Sequence, residues 1–230
     1  MYNDKTQIAD NIAKIKYEIA ETASKYSRSP EDITIMAVTK RVPAETVNSA
    51  VDCGIKLLGE NRAQELAQKY GEYKLKKDSI HFIGHLQTNK IKSIMDKVTL
   101  IQTIDSERLL FAVNDFAEKN GFTIQCLIQV NIALEQTKSG LSAQALEEFL
   151  KTAEKAKFVS IKGLMAIPPA TDSDVHFGRM QKLFVDIKGK NMDNVSMDIL
   201  SMGMSGDYLS AIKYGSNIVR LGTAIFGTRI

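Results

Sequence analysis

Short apolar runs alternate with helical patterns along almost the whole of this 230-residue chain, and that alternation leaves few folds open. Runs with strand character are Ile33–Thr39, Lys56–Glu60, Ile80–Leu86, Leu100–Ile104, Thr123–Val130, Ile161–Ile167, Val195–Ser201 and Asn217–Phe226. Helical spacing appears between them near Ala44–Cys53, Asn61–Tyr70, Thr88–Met95, Ser106–Lys119, Ala143–Lys157, Asp174–Lys188 and Asp207–Tyr214. Such alternation predicts an α/β fold with a parallel sheet, because each parallel step needs a crossover. Several runs are almost continuously apolar, as strands covered on both faces should be. The strand count suits closure into a (β/α)8 barrel of the TIM type, with a right-handed crossover at every step. An open doubly wound sheet has the same ingredients, and strand number alone does not exclude it.

An extra helix precedes the first strand. Ile8, Ile12, Ile15 and Ile19 recur on one face of a pattern running from about Asp4 to Ser27, ahead of Pro30. The sequence ends at Ile230, directly after the eighth apolar run, so no helix is expected after that strand. The N-terminal helix would then cover the seam between the first and last strands. No linker or low-complexity segment interrupts the pattern, and the most polar stretch, Gly71–Ser79, is short. Residues 1–230 are therefore expected to form one domain.

Composition narrows the function classes. Thirty basic against 27 acidic residues give a net charge of +3 without long runs of one sign, which argues against a nucleic-acid partner. No stretch approaches the length of a membrane span. The first residues lack the apolar core of a signal peptide, and their acidic side chains argue against a transit peptide. Cys53 and Cys126 are few and far apart, which suits a reducing compartment. A cytoplasmic protein without a membrane partner is expected.

In a barrel the working groups lie at the carboxyl ends of the strands. The first strand delivers Lys40, at the edge of the core, where partial desolvation would favour a neutral nucleophilic amine. The alternative is a lysine that lays its stem on apolar surface and its ammonium in water. Asn61 follows the second strand, His85 and Gln87 the third, and Asn131 with the loop Glu135–Gly140 the fifth. Strand seven runs into Ser201-Met202-Gly203-Met204-Ser205-Gly206-Asp207, and strand eight carries Arg220-Leu221-Gly222-Thr223. Together these last two segments predict an anion site: glycine-rich backbone, free amides at a helix start and hydroxyls. The plainer reading is that Ser205 or Asp207 caps the helix and Gly222 serves packing. Arg220 lies within an apolar strand and must find a partner, either a structural ion pair or a ligand ring nitrogen. His81 and His85 share a strand face but lack companion ligands at metal spacing, so no metal is expected.

Larger segments carry a family resemblance. They are Ala37-Val38-Thr39-Lys40, Gly59-Glu60-Asn61, the run His81–Lys90, Gly163–Pro168, Leu200–Ser205 and Val219–Gly227. Together they resemble the pyridoxal phosphate homeostasis protein family, which is similar in fold to the N-terminal barrel of alanine racemase. The resemblance implies a single cofactor, pyridoxal 5′-phosphate, bound as a Schiff base on Lys40. It places Arg220 at the pyridine nitrogen and Ser205, Gly222 and Thr223 at the phosphate. Met204 follows through its backbone, and Asn61 lies close to the cofactor. Ile80, where an aromatic residue is common, and Arg62, where tyrosine is common, depart from the family pattern at the rim.

The implied role is cofactor storage, buffering or delivery to pyridoxal-phosphate-dependent apoenzymes, with no catalytic residue assigned. The alternative is a pyridoxal-phosphate-dependent amino-acid racemase, which normally sets a base on each face of the substrate. Alanine racemases take the opposing tyrosine from a C-terminal domain that also builds the dimer. With the sequence ending at Ile230, no place for that domain is expected, and a monomer follows. A third reading is a barrel that binds another phosphate ester without covalent attachment.

Overall fold

A computed structural model of the chain describes residues 4–135, 139–169, 171–190 and 192–228. The strands are β1 Thr34–Val38, β2 Leu57–Glu60, β3 Ile80–Phe82, β4 Leu100–Ile104, β5 Ile124–Val130, β6 Val159–Ala166, β7 Val195–Ser201 and β8 Ile218–Leu221. They close into a parallel barrel in sequence order, with β1 hydrogen-bonded to both β2 and β8. Thr34 pairs with Ile218 and Met36 with Arg220 across the closing seam. The open-sheet alternative is thereby excluded.

Helices alternate with the strands: α1 Lys5–Lys25, α2 Ala44–Asp52, α3 Ala63–Lys69, α4 Ile91–Ile94, α5 Glu107–Lys119, α6 Ala143–Ala153, α7 Ser173–Lys188, α8 Tyr208–Lys213 and α9 Thr223–Phe226. No helix of the described residues is long and apolar enough to cross a membrane. The start of α1 is fixed by a capping box, in which the Asp4 side chain accepts from the Gln7 N–H and Gln7 reaches back to the Asp4 N–H. Ile8, Ile12, Ile15 and Ile19 are all buried against α2, α8 and α9, so α1 covers the β1–β8 seam. Two polar ties reinforce it. Asn11 donates to the Ile225 carbonyl at 3.1 Å, and beyond the helix Arg28 donates to the carbonyls of Ile212 at 2.7 Å and Ser216 at 2.8 Å.

Two expectations need correction. The eighth apolar run does not continue as a strand to Phe226: β8 stops at Leu221, and the four residues Thr223–Phe226 coil into α9, so a short helix does follow the last strand. The reason is a cap from elsewhere, since the Ser205 hydroxyl accepts from the Gly222 and Ala224 amides and turns the chain. The third strand is also shorter than its apolar run. Ile83–Leu86 leaves the ladder where Gly84 presses on the Asn61 backbone; a Cβ there would lie 1.9 Å from the Asn61 carbonyl oxygen.

The two-residue period of the strands sorts side chains between the lumen and the helical layer. Most buried apolar residues belong to the layer between sheet and helices. Inside, Met36, Leu57, Ile83 and Ile218 form one apolar cluster and Leu100, Leu127 and Met165 another. Polar side chains share the interior with them: His81, Gln102, Ser201 and Arg220 are all buried.

Candidate functional site

Lys40 is next in the inward series Met36, Val38, one residue beyond the end of β1 and its neighbour Thr39. It is exposed, contrary to the expected desolvation: β1 has already ended, and the lysine sits on a turn rather than on a covered strand. Among the described residues it has no hydrogen-bond or ion-pair partner. The turn itself is tightly held. Val42 N–H donates to the Thr39 carbonyl at 3.0 Å, and Arg41 adopts a left-handed φ of 62° that few non-glycine residues take. From α3, Glu65 accepts the Arg41 N–H and pairs with Lys69, whose ammonium donates to the Thr39 carbonyl at 3.2 Å.

Behind this turn lies a buried polar group. The Thr39 hydroxyl donates to Glu60 Oε1 at 2.6 Å, and the Tyr73 hydroxyl donates to the same oxygen. Burial raises the Glu60 carboxyl above the usual range, against the lowering effect of these hydrogen bonds. Its second oxygen, Oε2, is buried without a partner. Tyr73 comes from the Gly71–Ser79 stretch, which is therefore more than the surface loop its polarity suggested.

Asn61 follows β2 much as Lys40 follows β1, each two residues past the Val38–Gly59 pair. Its Oδ1 is buried and unpartnered. On its far side, Asn61, Arg62, His85, Gln87 and Lys90 line a cleft of about 280 Å³. His85 is not on the strand but on the loop beyond it, exposed and 3.7 Å from Asp105.

Arg220, in register with Met36, lies deeper in the lumen. It is 4% exposed, and burial lowers its pKa to about 10, with Asp207 opposing the shift. Nη1 donates to Ser201 Oγ at 2.9 Å and Nη2 to the Ala166 carbonyl at 2.8 Å. Both acceptors are neutral, and no carboxylate of the described residues pairs with this guanidinium. The hydrogen bonds continue from Ser201 Oγ to Gln102 Oε1 at 2.7 Å and from Gln102 Nε2 to His81 Nδ1 at 3.0 Å. In the sequence His81 stands out only as a metal-ligand candidate and Ser201 only as part of the glycine-rich segment, and Gln102 carries no signal.

The two segments predicted to hold an anion meet at the loop after β7 and the start of α9. Gly203 has a φ of 92°, and a Cβ there would meet the Ala211 Cβ at 2.5 Å, so only glycine lets the loop pass. Ser205 Oγ accepts from the Gly222 amide at 3.3 Å and the Ala224 amide at 3.1 Å. The serine thus caps the helix after β8, not the one after its own strand. Thr223 opens α9 with its side chain exposed and unpartnered. The Met204 amide is already engaged, donating to Asp207 Oδ1 at 2.6 Å, while its side chain is exposed. Ser205 and Ala224 border a cavity of about 490 Å³ that reaches Asn11 and Lys14 of α1. In the loop after β5, Gln136, Thr137 and Lys138 lie outside the described residues.

An amine, a buried guanidinium and a hydroxyl–amide cradle thus share one end of the barrel, and comparison with known proteins gives this arrangement a family. Residues 7–230 match the family described as alanine racemase, N-terminal domain. The pyridoxal phosphate homeostasis protein of Aquifex aeolicus (strain VF5) is 35% identical over 224 residues, covering 96% of this chain and 97% of its own. Its namesake from Escherichia coli (strain K12) is 36% identical over 226 residues, with 96% and 97% covered. The structure of PipY from Synechococcus elongatus PCC7942 with PLP bound superposes with a TM-score of 0.77 at 28% identity, covering 91% of this chain and 100% of that one. This chain belongs to the alanine racemase N-terminal domain family and, within it, to the pyridoxal phosphate homeostasis proteins.

Proposed function

We propose that this protein binds pyridoxal 5′-phosphate at the carboxyl end of its barrel and serves intracellular homeostasis of that cofactor, by storing, buffering or delivering it. The observation that carries the reading is the buried Arg220 guanidinium, whose hydrogen bonds go only to neutral oxygens. A guanidinium carries five N–H donors and these two bonds use two of them, so an acceptor on a ligand, such as a ring nitrogen, has donors to meet.

The other residues fit the same group. Asn61 Oδ1 is a buried acceptor without a partner just past β2. Ser205 occupies, with its own oxygen, the place where two amides converge, and phosphate oxygens are stronger acceptors for the same donors. When bound, pyridoxal phosphate supplies an aldehyde for an amine and a pyridine ring that draws electrons. Lys40, exposed and unpartnered, is the amine that holds it as a Schiff base. Arg220 faces the ring nitrogen and, always charged at neutral pH, disfavours its protonation. Ser205, Gly222 and Thr223 would hold the phosphate, Met204 would border it through its backbone, and Asn61 would lie close to the cofactor.

The whole chain acts as one cofactor-binding domain, as a cytoplasmic monomer with pyridoxal-phosphate-dependent apoenzymes as recipients. The free thiols Cys53 and Cys126 support the reducing compartment. Borohydride reduction of the holoprotein followed by mass mapping is the test. The pyridoxyl label should sit on Lys40, and pyridoxal lacking its phosphate should bind far more weakly. A label on another lysine with Lys40 free, or equal affinity for the two vitamers, refutes the assignment.

A further inference from the structure

We propose that His81 and Gln102 are positioning residues for Arg220, acting through Ser201 to hold the guanidinium in one orientation across the barrel lumen. The four side chains come from β3, β4, β7 and β8, and each is buried. The polarity of the chain is fixed from its charged end. A guanidinium has only donors, so Ser201 Oγ must accept from Arg220. The Ser201 proton then goes to Gln102 Oε1. That leaves the Gln102 amide to donate to His81 Nδ1, which places the imidazole proton on Nε2.

Ser201 alone would give Arg220 an acceptor. What Gln102 and His81 add is the removal of alternatives. Without an acceptor for its proton, the serine hydroxyl could rotate and present its hydrogen to the guanidinium. Without His81, the Gln102 amide could flip and offer N–H to Ser201 in place of oxygen. Burial lowers the His81 pKa to about 4, so the ring stays neutral through the neutral range and, in the Nε2–H tautomer, Nδ1 stays an acceptor. The neighbouring interior is apolar, and a barrel lumen can be filled that way. A buried polar chain in its place is tolerated only when every member is satisfied, and it specifies one arrangement.

The relay is a property of the protein itself; its consequence for cofactor affinity rests on the proposed role of Arg220 toward pyridoxal phosphate. Nitrogen-15 NMR of the cofactor-free protein tests the first part. His81 should show the Nε2–H tautomer, and the Arg220 Nη signals should be resolved through hindered rotation, a resolution that His81→Leu should abolish. Titration with pyridoxal phosphate tests the second. His81→Leu and Ser201→Ala should each weaken binding by roughly tenfold, the scale of one hydrogen bond to a charged group. The double variant should be no weaker than Ser201→Ala alone, because both changes cut one pathway. An Nδ1–H tautomer, or losses that multiply in the double variant, overturns the relay. Wild-type protein that fails to bind pyridoxal phosphate sinks the cofactor reading instead and leaves the NMR result to judge the relay. If His81→Leu does not fold, the wild-type tautomer decides.

Discussion

Replacing Arg220 with methionine should stabilise the cofactor-free protein while weakening its hold on pyridoxal phosphate. Burial brings the Arg220 pKa well below its ordinary value, to about 10. At about 1.4 kcal/mol per pH unit, that corresponds to roughly 3 kcal/mol by which folding disfavours the charged form. For a cation with a depressed folded pKa, this cost is full below about pH 10 and fades as pH rises toward the ordinary arginine value, so it applies wholly at neutral pH. Against it stand the two hydrogen bonds that methionine forfeits. Ser201 keeps its bond to Gln102, but the Ala166 carbonyl loses its guanidinium donor, a penalty of about 1–3 kcal/mol. The balance is a gain of up to about 2 kcal/mol, in line with the gains seen when buried charges give way to apolar side chains of similar volume. For a chain of this size each kcal/mol moves Tm by roughly 2–4 °C. Thermal unfolding of resolved apoprotein at neutral pH reads the first effect, and absorbance titration with pyridoxal phosphate reads the second. Apoprotein whose Tm falls by several degrees would refute the reasoning and make Arg220 a structural residue.

Glu60 has its pKa raised above 4.5 by burial, so its contribution to stability is complete below about pH 4.5 and is lost as pH rises through its folded value. Glu60→Gln should therefore flatten the fall in Tm between mildly acidic and neutral pH; an unchanged slope would show that another group causes it. Deleting residues 1–27 strips four buried isoleucines from the β1–β8 seam. At about 1.5–3 kcal/mol each, their loss matches the net stability of a typical domain. The truncated chain should be insoluble or lack a cooperative transition by circular dichroism, and an unaltered unfolding curve would mean that α1 is dispensable. Among the described residues, the hydroxyls of Tyr73, Tyr208 and Tyr214 are engaged by Glu60, Glu18 and Asp174. If no second acid opposes Lys40, holoprotein given L-alanine in deuterated water should show racemisation near background. Turnover of about one per second or faster, ordinary for an enzyme, would overturn the carrier role.

What the sequence disclosed and what it hid divide along one physical line, the range over which an interaction acts. Strand and helix periodicity is local, and it located the barrel, the seam helix and the residues at the strand ends. The apolar run through Thr223-Ala224-Ile225-Phe226 looked like more strand because its β-branched and aromatic residues favour extended backbone. Its helical turn depends on the Ser205 hydroxyl, which arrives from another strand, 17 residues away at Gly222 and 19 at Ala224. Lys40 was legible as a position but not in its exposure, since the turn is tied down by Glu65 and Lys69 of α3 rather than packed under a cover. His81, Gln102 and Ser201 appear in the sequence as ordinary polar residues of three separate strands, with nothing that marks them as partners. Their hydrogen bonds to one another and to Arg220 span 21, 99 and 19 residues, and only closure of the barrel brings them into a line. The charged residue at the end of that line was conspicuous because an arginine in an apolar strand demands a partner. Its partners are small neutral groups that demand nothing visible until the fold assembles them, which is why the buried cation could be read from the chain and its support could not.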